Sequence, residues 1–441
     1  MTVRDYVHLW AGETDFDAPT LPMRACEWLD GLKPTLDDAL WSVRDADIVP
    51  GCHPVLVYAP SFSSVAWENA DLCEYLASHG YVVIASASIG ARSRGMTADL
   101  DGIEAQAADI AFLVGFASTF AGADISRLAV AGFSWGGLAN LFAAARDDRI
   151  RALVSLDGSI RYWPGLVKSA GYVRPEQMTI PLISFAKGEW SMEEQARYLS
   201  SAQMDGPNVL NAWACGDLLS VHMPAMTHRQ FSSMAQRNEN VWQEFADPRF
   251  ADRQRMGFGR EHAARGYGWM ARYTLQFLKA YLDHEESALA FLGAAPVSNG
   301  VPPHYMEVDF RPSNATPATF DFFCAEVGRR GFDKLDEILF DLSKRDARFG
   351  IAEPALTNWS ESLIDLGRLD EAVALLDFSV RIHDSSSTAH ASLGRARNLA
   401  GDHAAAMEHF WRAIQQDPTN ADARRRLSAL AGGFVPLVRS R

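Results

Sequence analysis

One hexapeptide constrains the fold of this chain more than any other feature. Residues 132–137 read GFSWGG, a match to the pattern G-x-S-x-G; an apolar run precedes it at 128–131, and a helix-favouring run follows at 138–145. A serine at such a strand-to-helix turn is exposed at the end of its strand, and glycines on either side let the backbone pass without steric clashes. The pattern therefore predicts a strand, a sharp turn and a helix, with Ser134 as a candidate nucleophile.

The sequence around this turn alternates between short β-rich runs and longer amphipathic runs. The runs that we interpret as strands are residues 55–58, 81–84, 150–156, 180–185 and 209–214. Residues 7–10 have the composition of an antiparallel edge strand. This alternation is typical of an α/β fold, in which helices cover both faces of a mostly parallel sheet. We therefore predict an α/β catalytic domain in residues 1–293.

The composition changes after residue 293. The stretch 294–318 contains Pro296, Pro302, Pro303, Pro312 and Pro317. Proline lacks the backbone N–H that a helix interior or a central strand needs, so this stretch predicts a linker.

Residues 319–441 repeat themselves. The triplet at 335–337 recurs at 369–371, and Gly367 recurs as Gly401, so both offsets are 34 residues. A period of that length with helical patterning is the signature of tetratricopeptide repeats, in which helix pairs bury their apolar faces by stacking on neighbouring pairs. We predict an all-α domain of tetratricopeptide-like repeats that binds a protein partner, mediates self-association or covers the active site.

A reactive Ser134 needs a carboxylate further along the chain. A serine hydroxyl is a weak nucleophile at neutral pH, so a histidine must accept its proton and a carboxylate must orient that histidine. In this type of fold the acid follows the serine in chain order, at the end of a later strand. Asp157 directly follows the strand at 150–156, which favours it. Glu189, after the strand at 180–185, is the alternative acid.

The histidine should come last in chain order. His228 is followed by polar, helix-forming sequence, which places it in a loop that enters a helix, and we favour it as the base. His222 is the alternative base; it lies in the more strand-like run 218–223, which favours a packed core histidine.

The transition state of acyl transfer also needs hydrogen-bond donors for an oxyanion. One predicted donor is the backbone N–H of Trp135, the residue after the nucleophile, at a helix amino terminus. The second should come from the loop after the first strand, residues 59–64. We predict the N–H of Phe62, with that of Ser63 as the alternative; Pro60 is excluded because it has no N–H to donate.

These features resemble α/β-hydrolases of the dienelactone hydrolase and platelet-activating-factor acetylhydrolase type. The resemblance covers about residues 50–290 and lies in the run 54–94, the turn at Ser134, the early acid and the final histidine, His228. In acetylhydrolase-like members the acid lies at the end of the strand that follows the nucleophile, which implies Asp157.

The chain departs from this family at two places. Dienelactone hydrolases proper use a cysteine nucleophile, so Ser134 implies a different substrate. Where such enzymes commonly carry a His-Gly pair in the first loop, this chain has Pro60 and Ser61.

Charge and composition exclude several functional classes. The 441 residues carry a formal net charge of −14, which repels phosphate backbones, so we expect no nucleic-acid partner. No apolar run approaches the roughly 20 residues of a membrane helix, so we predict no membrane span.

The amino end lacks the pattern of a signal peptide, which favours the cytoplasm, although a chain from which a leader had been removed would give the same pattern. The five cysteines form no C-x-x-C pair, and no nucleotide-binding or metal-binding motif occurs, so we predict neither cofactor nor metal.

Together these features predict a serine-dependent carboxylic-ester hydrolase. It would cleave a small acyl ester, or a thioester or amide, through an acyl-enzyme intermediate. The alternative is a non-catalytic binding or scaffold protein, in which the hydrolase fold is a platform and the helical repeats bind a protein partner.

Overall fold

The structure of the chain is a computed structural model. It describes residues 1–14, 23–187, 208–245, 258–314, 318–346 and 349–432. By its contacts the chain divides into two compact units, Met1–Thr316 and Pro317–Arg441.

The first unit is built on a seven-stranded sheet within the described residues. The strands are β1 (His53–Ala59), β2 (Val82–Ala85), β3 (Ala123–Phe133), β4 (Ile150–Leu156), β5 (Leu182–Lys187), β6 (Leu218–Met223) and β7 (Glu307–Arg311). Their order across the sheet is β2-β1-β3-β4-β5-β6-β7. All neighbours are parallel except β6 and β7. This mostly parallel sheet confirms the predicted α/β class.

Helices cover both faces of the sheet. The helices described in this unit are α1 (Val3–Thr14), α2 (Met23–Leu32), α3 (Ala70–Ser78), α4 (Leu100–Ala117), α5 (Trp135–Ala144), α6 (Pro164–Ala170), α7 (Val209–Ala212), α8 (Ser233–Arg237), α9 (Glu239–Phe245), α10 (Arg260–Leu282) and α11 (Glu286–Gly293). Strand side chains alternate between two cores: Leu56 of β1 lies in the core that contains α10, and Val57 lies in the core that contains α4 and α5. Because both faces are buried, the central strands have nearly continuous apolar sequence.

The structure corrects two predicted strands. Residues 7–10 belong to α1, because Val3, Tyr6 and Val7 have helical spacing and pack together in one apolar cluster. Residues 209–212 form α7 rather than a strand, because the side chain of Asn208 caps this short helix by accepting hydrogen bonds from two of its N–H groups.

An edge strand lies inside the stretch that we predicted as a linker. β7 pairs antiparallel with β6, and prolines lie on both sides of it in sequence, the nearest being Pro303 and Pro312. The guanidinium of Arg311 donates hydrogen bonds to the carbonyls of Leu210 and Trp213. Proline is tolerated outside an edge strand, so the Pro-rich composition did not prevent a short strand between two prolines.

The second unit is helical throughout its described residues. Its helices are α12 (Phe320–Arg330), α13 (Leu335–Arg345), α14 (Glu353–Asp365), α15 (Leu369–Ile382), α16 (Ser387–Leu399), α17 (His403–Gln416) and α18 (Ala421–Gly432). The starts of α13, α15 and α17 are 34 residues apart, as are those of α14, α16 and α18. Gly367 follows α14 and Gly401 follows α16, and both have left-handed backbone conformations, with φ of 73° and 81°. Equivalent helices therefore end in the same way.

Across the described residues, no helix combines the length and the apolar character that a bilayer crossing requires.

Candidate active site

The turn between β3 and α5 exposes Ser134 at the carboxyl end of the sheet. Ser134 has φ 53° and ψ −114°, a conformation that costs of order 1–3 kcal/mol and persists only where the surroundings hold it. Its N–H donates to the carbonyl of Leu156 at 3.1 Å, and its own carbonyl accepts from the N–H groups of Gly137 and Ser159. These bonds hold the strained turn against the end of β4.

The two glycines that flank Ser134 in the motif leave no room for a side chain. A Cβ on Gly132 would lie 2.4 Å from the carbonyl carbon of Gly136, and a Cβ on Gly136 would lie 2.1 Å from the carbonyl oxygen of Ala59. The motif therefore has small residues because the turn packs directly on its own helix and on the end of β1.

The structure brings Ser134, Asp157 and His228 together. Asp157 follows β4, and His228 is the first residue of a short 3-10 helix, His228–Phe231. The Nε2 of His228 lies 2.9 Å from Ser134 Oγ, and its Nδ1 lies 2.6 Å from Asp157 Oδ2. The imidazole also packs on the ring of Phe133, with centroids 4.9 Å apart. The three side chains thus form one hydrogen-bonded chain.

The environment of Asp157 favours its charged form. Burial alone would raise the pKa of this carboxyl, but the hydrogen bond and charge of His228, the charge of Lys187 and the N–H of Lys187 together lower the pKa below its ordinary value. The N–H of Asp157 itself donates to the carbonyl of Phe185, at a positive φ of 40°. A buried carboxylate held ionised against an imidazole can fix its tautomer and stabilise its protonated form.

The two predicted oxyanion donors belong to neighbouring residues in space. The rings of Phe62 and Trp135 are in edge-to-face contact, with centroids 5.6 Å apart. The N–H of Ser61 is already used, since it donates to the carboxylate of Glu68 at 2.8 Å. Within the described part of the chain, the N–H of Phe62 has no acceptor. This leaves it free to bind a substrate oxygen.

Of the two alternative candidates, the structure describes His222. His222 is on β6, where its Nδ1 lies 3.3 Å from Glu307 of the neighbouring β7. Its Nδ1 therefore contacts the neighbouring strand rather than Ser134. Glu189 lies outside the described residues.

Sequence reasoning missed two buried polar residues at this site, Glu68 and Asn69. Both precede α3, and both are nearly inaccessible to solvent. Burial raises the pKa of Glu68, and hydrogen bonds from Ser61 and Ser64 and the charge of His228 partly offset that rise. In sequence the pair lies in a run that predicts an amphipathic helix, and no local signal distinguishes a buried acid from a solvated one there.

A cavity of about 690 Å³ lies over Ser134 and His228. Its wall combines apolar side chains with hydroxyl, amide and charged groups: Trp28, Ser61, Phe62, Ser63, Ser64, Val65, Glu68, Phe133, Arg229, Ser232, Ala235, Asn238, Asn240 and Val241. A cavity of this size fits a small organic molecule.

In the ranges that the structure describes, no three His, Cys, Asp or Glu side chains converge as a metal site would require.

Comparisons with protein families, curated sequences and solved structures add little to what the geometry of the site shows. No protein-family model matches the chain, and no curated protein sequence matches it. Among solved structures, the chain is similar to a ferulic acid esterase from Streptomyces cinnamoneus, with 21% sequence identity over 60% of this chain and 76% of that one, and a TM-score of 0.42. What the site can do follows from its own atoms.

Proposed function

We propose that the first unit is a serine hydrolase that cleaves a carboxylic ester through an acyl-enzyme intermediate. The support comes from the hydrogen-bonded chain from Ser134 through His228 to Asp157, at the carboxyl ends of the strands and facing a cavity. Ligands of open parallel sheets bind at this edge. The position of the acid directly after β4 also agrees with the acetylhydrolase-like arrangement rather than with a later acid.

In the acylation step, Ser134 Oγ attacks the carbonyl carbon of the ester while His228 Nε2 accepts the hydroxyl proton. The N–H groups of Trp135 and Phe62 donate to the oxygen of the tetrahedral intermediate, which becomes negatively charged. His228 then gives its proton to the leaving alcohol. Asp157 stabilises the imidazolium throughout and remains ionised.

In the deacylation step, a water molecule takes the place of the alcohol. His228 accepts a proton from this water as it attacks the acyl carbon, and then returns the proton to Ser134 Oγ as the acid leaves. The same donors bind the second tetrahedral intermediate.

The test is a comparison of wild type with Ser134→Ala on short-chain p-nitrophenyl esters and a fluorophosphonate probe. We expect a burst of p-nitrophenol and labelling in wild type, and a loss of both in the variant. Ser126→Ala is the matched control, because Ser126 is an exposed serine of β3, the strand that ends directly before Ser134. Ester cleavage and labelling that survive in Ser134→Ala would falsify the nucleophile.

For the second unit we propose tetratricopeptide-like repeats. The support is the 34-residue spacing of helix starts and the left-handed glycines at equivalent helix ends. Such repeats commonly bind protein segments, so a non-catalytic binding protein is the second candidate function. Wild type that shows neither burst nor labelling, but retains a bound protein partner through purification, would favour that second candidate.

A further inference from the structure

The dipeptide Glu68–Asn69 lies between the two loops that carry the proposed chemistry. Glu68 is 7% exposed and Asn69 is fully buried. We call residues 61–64 the oxyanion loop and residues 228–234 the histidine segment. The side chains of Glu68 and Asn69, and the backbone carbonyl of Glu68, form hydrogen bonds with the oxyanion loop or with the histidine segment.

The carboxyl group of Glu68 accepts hydrogen bonds from two serines of the oxyanion loop. Its Oε2 accepts from the N–H of Ser61 at 2.8 Å, and its Oε1 accepts from the hydroxyl of Ser64 at 2.8 Å and from the hydroxyl of Ser61. These three hydrogen bonds from the loop to one buried carboxyl group fix the residue directly before Phe62, whose N–H is the proposed oxyanion donor.

The oxyanion loop needs this anchor because its backbone is strained. Ser63 has a left-handed conformation, with φ 55°, which is unfavourable for a residue with a side chain. Its hydroxyl accepts a hydrogen bond from the N–H of Met96 at 2.9 Å, and the carbonyl of Ser64 accepts from the N–H of Ser88 at 2.8 Å. A loop in such a conformation relaxes when its anchors are removed.

The other side of the dipeptide holds the histidine segment. The carbonyl of Glu68 accepts from the hydroxyl of Ser232 at 2.9 Å. The side chain of Asn69 accepts from the N–H of Ser233 at 2.8 Å and donates to the carbonyl of Phe231 at 3.0 Å. These bonds begin three residues after His228, at the end of its short helix.

We propose that Glu68 is a positioning residue that sets the oxyanion loop relative to the histidine segment, with Asn69 as the link to the latter. The proposal rests on the proposed function, because it assigns Glu68 a role in that reaction. Oxyanion donors act only if they lie at hydrogen-bond distance from the transition-state oxygen, so a displaced loop lowers kcat more than it changes KM.

Glu74 provides a matched control. It is a second buried carboxylate in the same unit, 9% exposed, and accepts hydrogen bonds from the hydroxyl of Tyr6 at 2.7 Å and the N–H of Trp41 at 2.6 Å. It does not line the cavity. A merely structural role for Glu68 predicts that its substitution and that of Glu74 have equivalent consequences.

The experiment compares kcat and KM on a p-nitrophenyl ester for wild type, Glu68→Leu, Glu68→Gln and Glu74→Gln. We expect Glu68→Leu to lose about 10²-fold in kcat with little change in KM, the magnitude for loss of one oxyanion donor. Glu68→Gln should recover part of that loss. Its amide oxygen can still accept from the N–H of Ser61, and the serine hydroxyls can reorient so that their oxygens accept from its NH₂. Glu74→Gln should retain the wild-type kcat.

Hydrogen exchange at the amide of Ser88 provides a measurement that does not depend on turnover. We expect faster exchange in both Glu68 variants than in Glu74→Gln, because the oxyanion loop that supplies the acceptor is released. If Glu68→Leu does not fold, Glu68→Gln and Ser64→Ala carry both measurements.

The outcomes separate the two proposals. Wild type without Ser134-dependent turnover contradicts the proposed function, and with it the role of Glu68 in the reaction. Turnover that depends on Ser134, with kcat unaffected by Glu68→Leu and Glu68→Gln and Ser88 exchange unchanged, overturns the positioning role alone.

Discussion

The two units differ in where they place unfavourable backbone conformations. In the first unit, the site residues Ser63, Ser134 and Asp157 have positive φ although each carries a side chain, as do Asp45, His284 and His304 outside the site. In the described part of the second unit, positive φ occurs only at Gly331, Gly367 and Gly401. Glycine adopts this conformation at almost no steric cost, whereas the other residues need their surroundings to hold them.

Buried polar groups follow the same division. In the first unit the buried Glu68 lines the cavity, and the buried Asp157 is hydrogen-bonded to His228, which also lines it. Where the structure describes it, the second unit buries mainly apolar side chains, and its buried polar residues are Ser360, Ser379 and His390. Contacts between neighbouring repeats stabilise a periodic helical stack, whereas the candidate site holds strained residues that persist only because their surroundings hold them.

The largest expected effect is a loss of kcat when the buried carboxylate of Asp157 is replaced. Asp157→Asn should lower kcat by about 10⁴-fold while the protein remains folded, because an amide holds the imidazole in the wrong tautomer. Ester turnover and circular dichroism measure the two quantities. Asp283→Asn is the control, since Asp283 binds Arg127 and Tyr81 and does not line the cavity. A loss of less than tenfold in Asp157→Asn would show that the site works without an orienting anion.

The next largest expected effect is on stability, and it should differ between a glycine of the first unit and a glycine of the second. Gly136→Ala should destabilise the protein by about 3 kcal/mol or more, because its Cβ would lie 2.1 Å from the carbonyl oxygen of Ala59. Gly328→Ala should stabilise it by roughly 0.5–1 kcal/mol, because Gly328 is exposed within α12 and nothing beyond its own turns of helix lies within 4 Å of the added Cβ.

Urea denaturation followed by circular dichroism measures both glycine variants. Gly115→Ala, also in open space but within α4 of the first unit, is the control for position in the chain. Equal effects of Gly136→Ala and Gly115→Ala would show that the turn at Ser134 can relax, and would remove the contrast between the units.

The smallest effect is a pH dependence in the second unit. The rings of His390 and His409 face each other, with Nδ1 atoms 3.2 Å apart. Burial lowers the pKa of both histidines below the ordinary value of 6.5, and the charge of His390 further lowers that of His409. This pair therefore binds fewer protons in the folded unit than in the unfolded chain, so its contribution to stability is complete above pH 6.5 and falls as the pH drops below that value.

Hydrogen exchange of α16 and α17, corrected for intrinsic rates, measures this stability at pH 7.5 and 5.5. His409→Gln should reduce the difference between the two pH values, since it removes one of the two facing groups. His403→Gln, at an exposed position of the same helix, should leave it unchanged. The same pH dependence in wild type and His409→Gln would contradict the role of the pair.

Local patterns predicted the parts of the fold that local sequence controls. The strand, turn and helix around Ser134 follow from apolar runs and small residues within 20 positions. The strand predicted at 209–214 was wrong because a single capping residue, Asn208, outweighed the β-rich composition. β7 was missed because its partner strand, β6, is distant in sequence, whereas the prolines that flank β7 are close to it and predict a linker.

The sequence by itself determined the α/β class and a small set of candidate side chains, because hydrophobic period and glycine placement act over a few residues. Only the tertiary structure decided which candidates meet. His228 is 71 residues from Asp157 and 94 from Ser134, and Glu68 contacts Ser232 across 164 residues. Such contacts depend on how strand ends are ordered across the sheet, and pairwise chemistry between distant residues leaves no periodic signal in the chain.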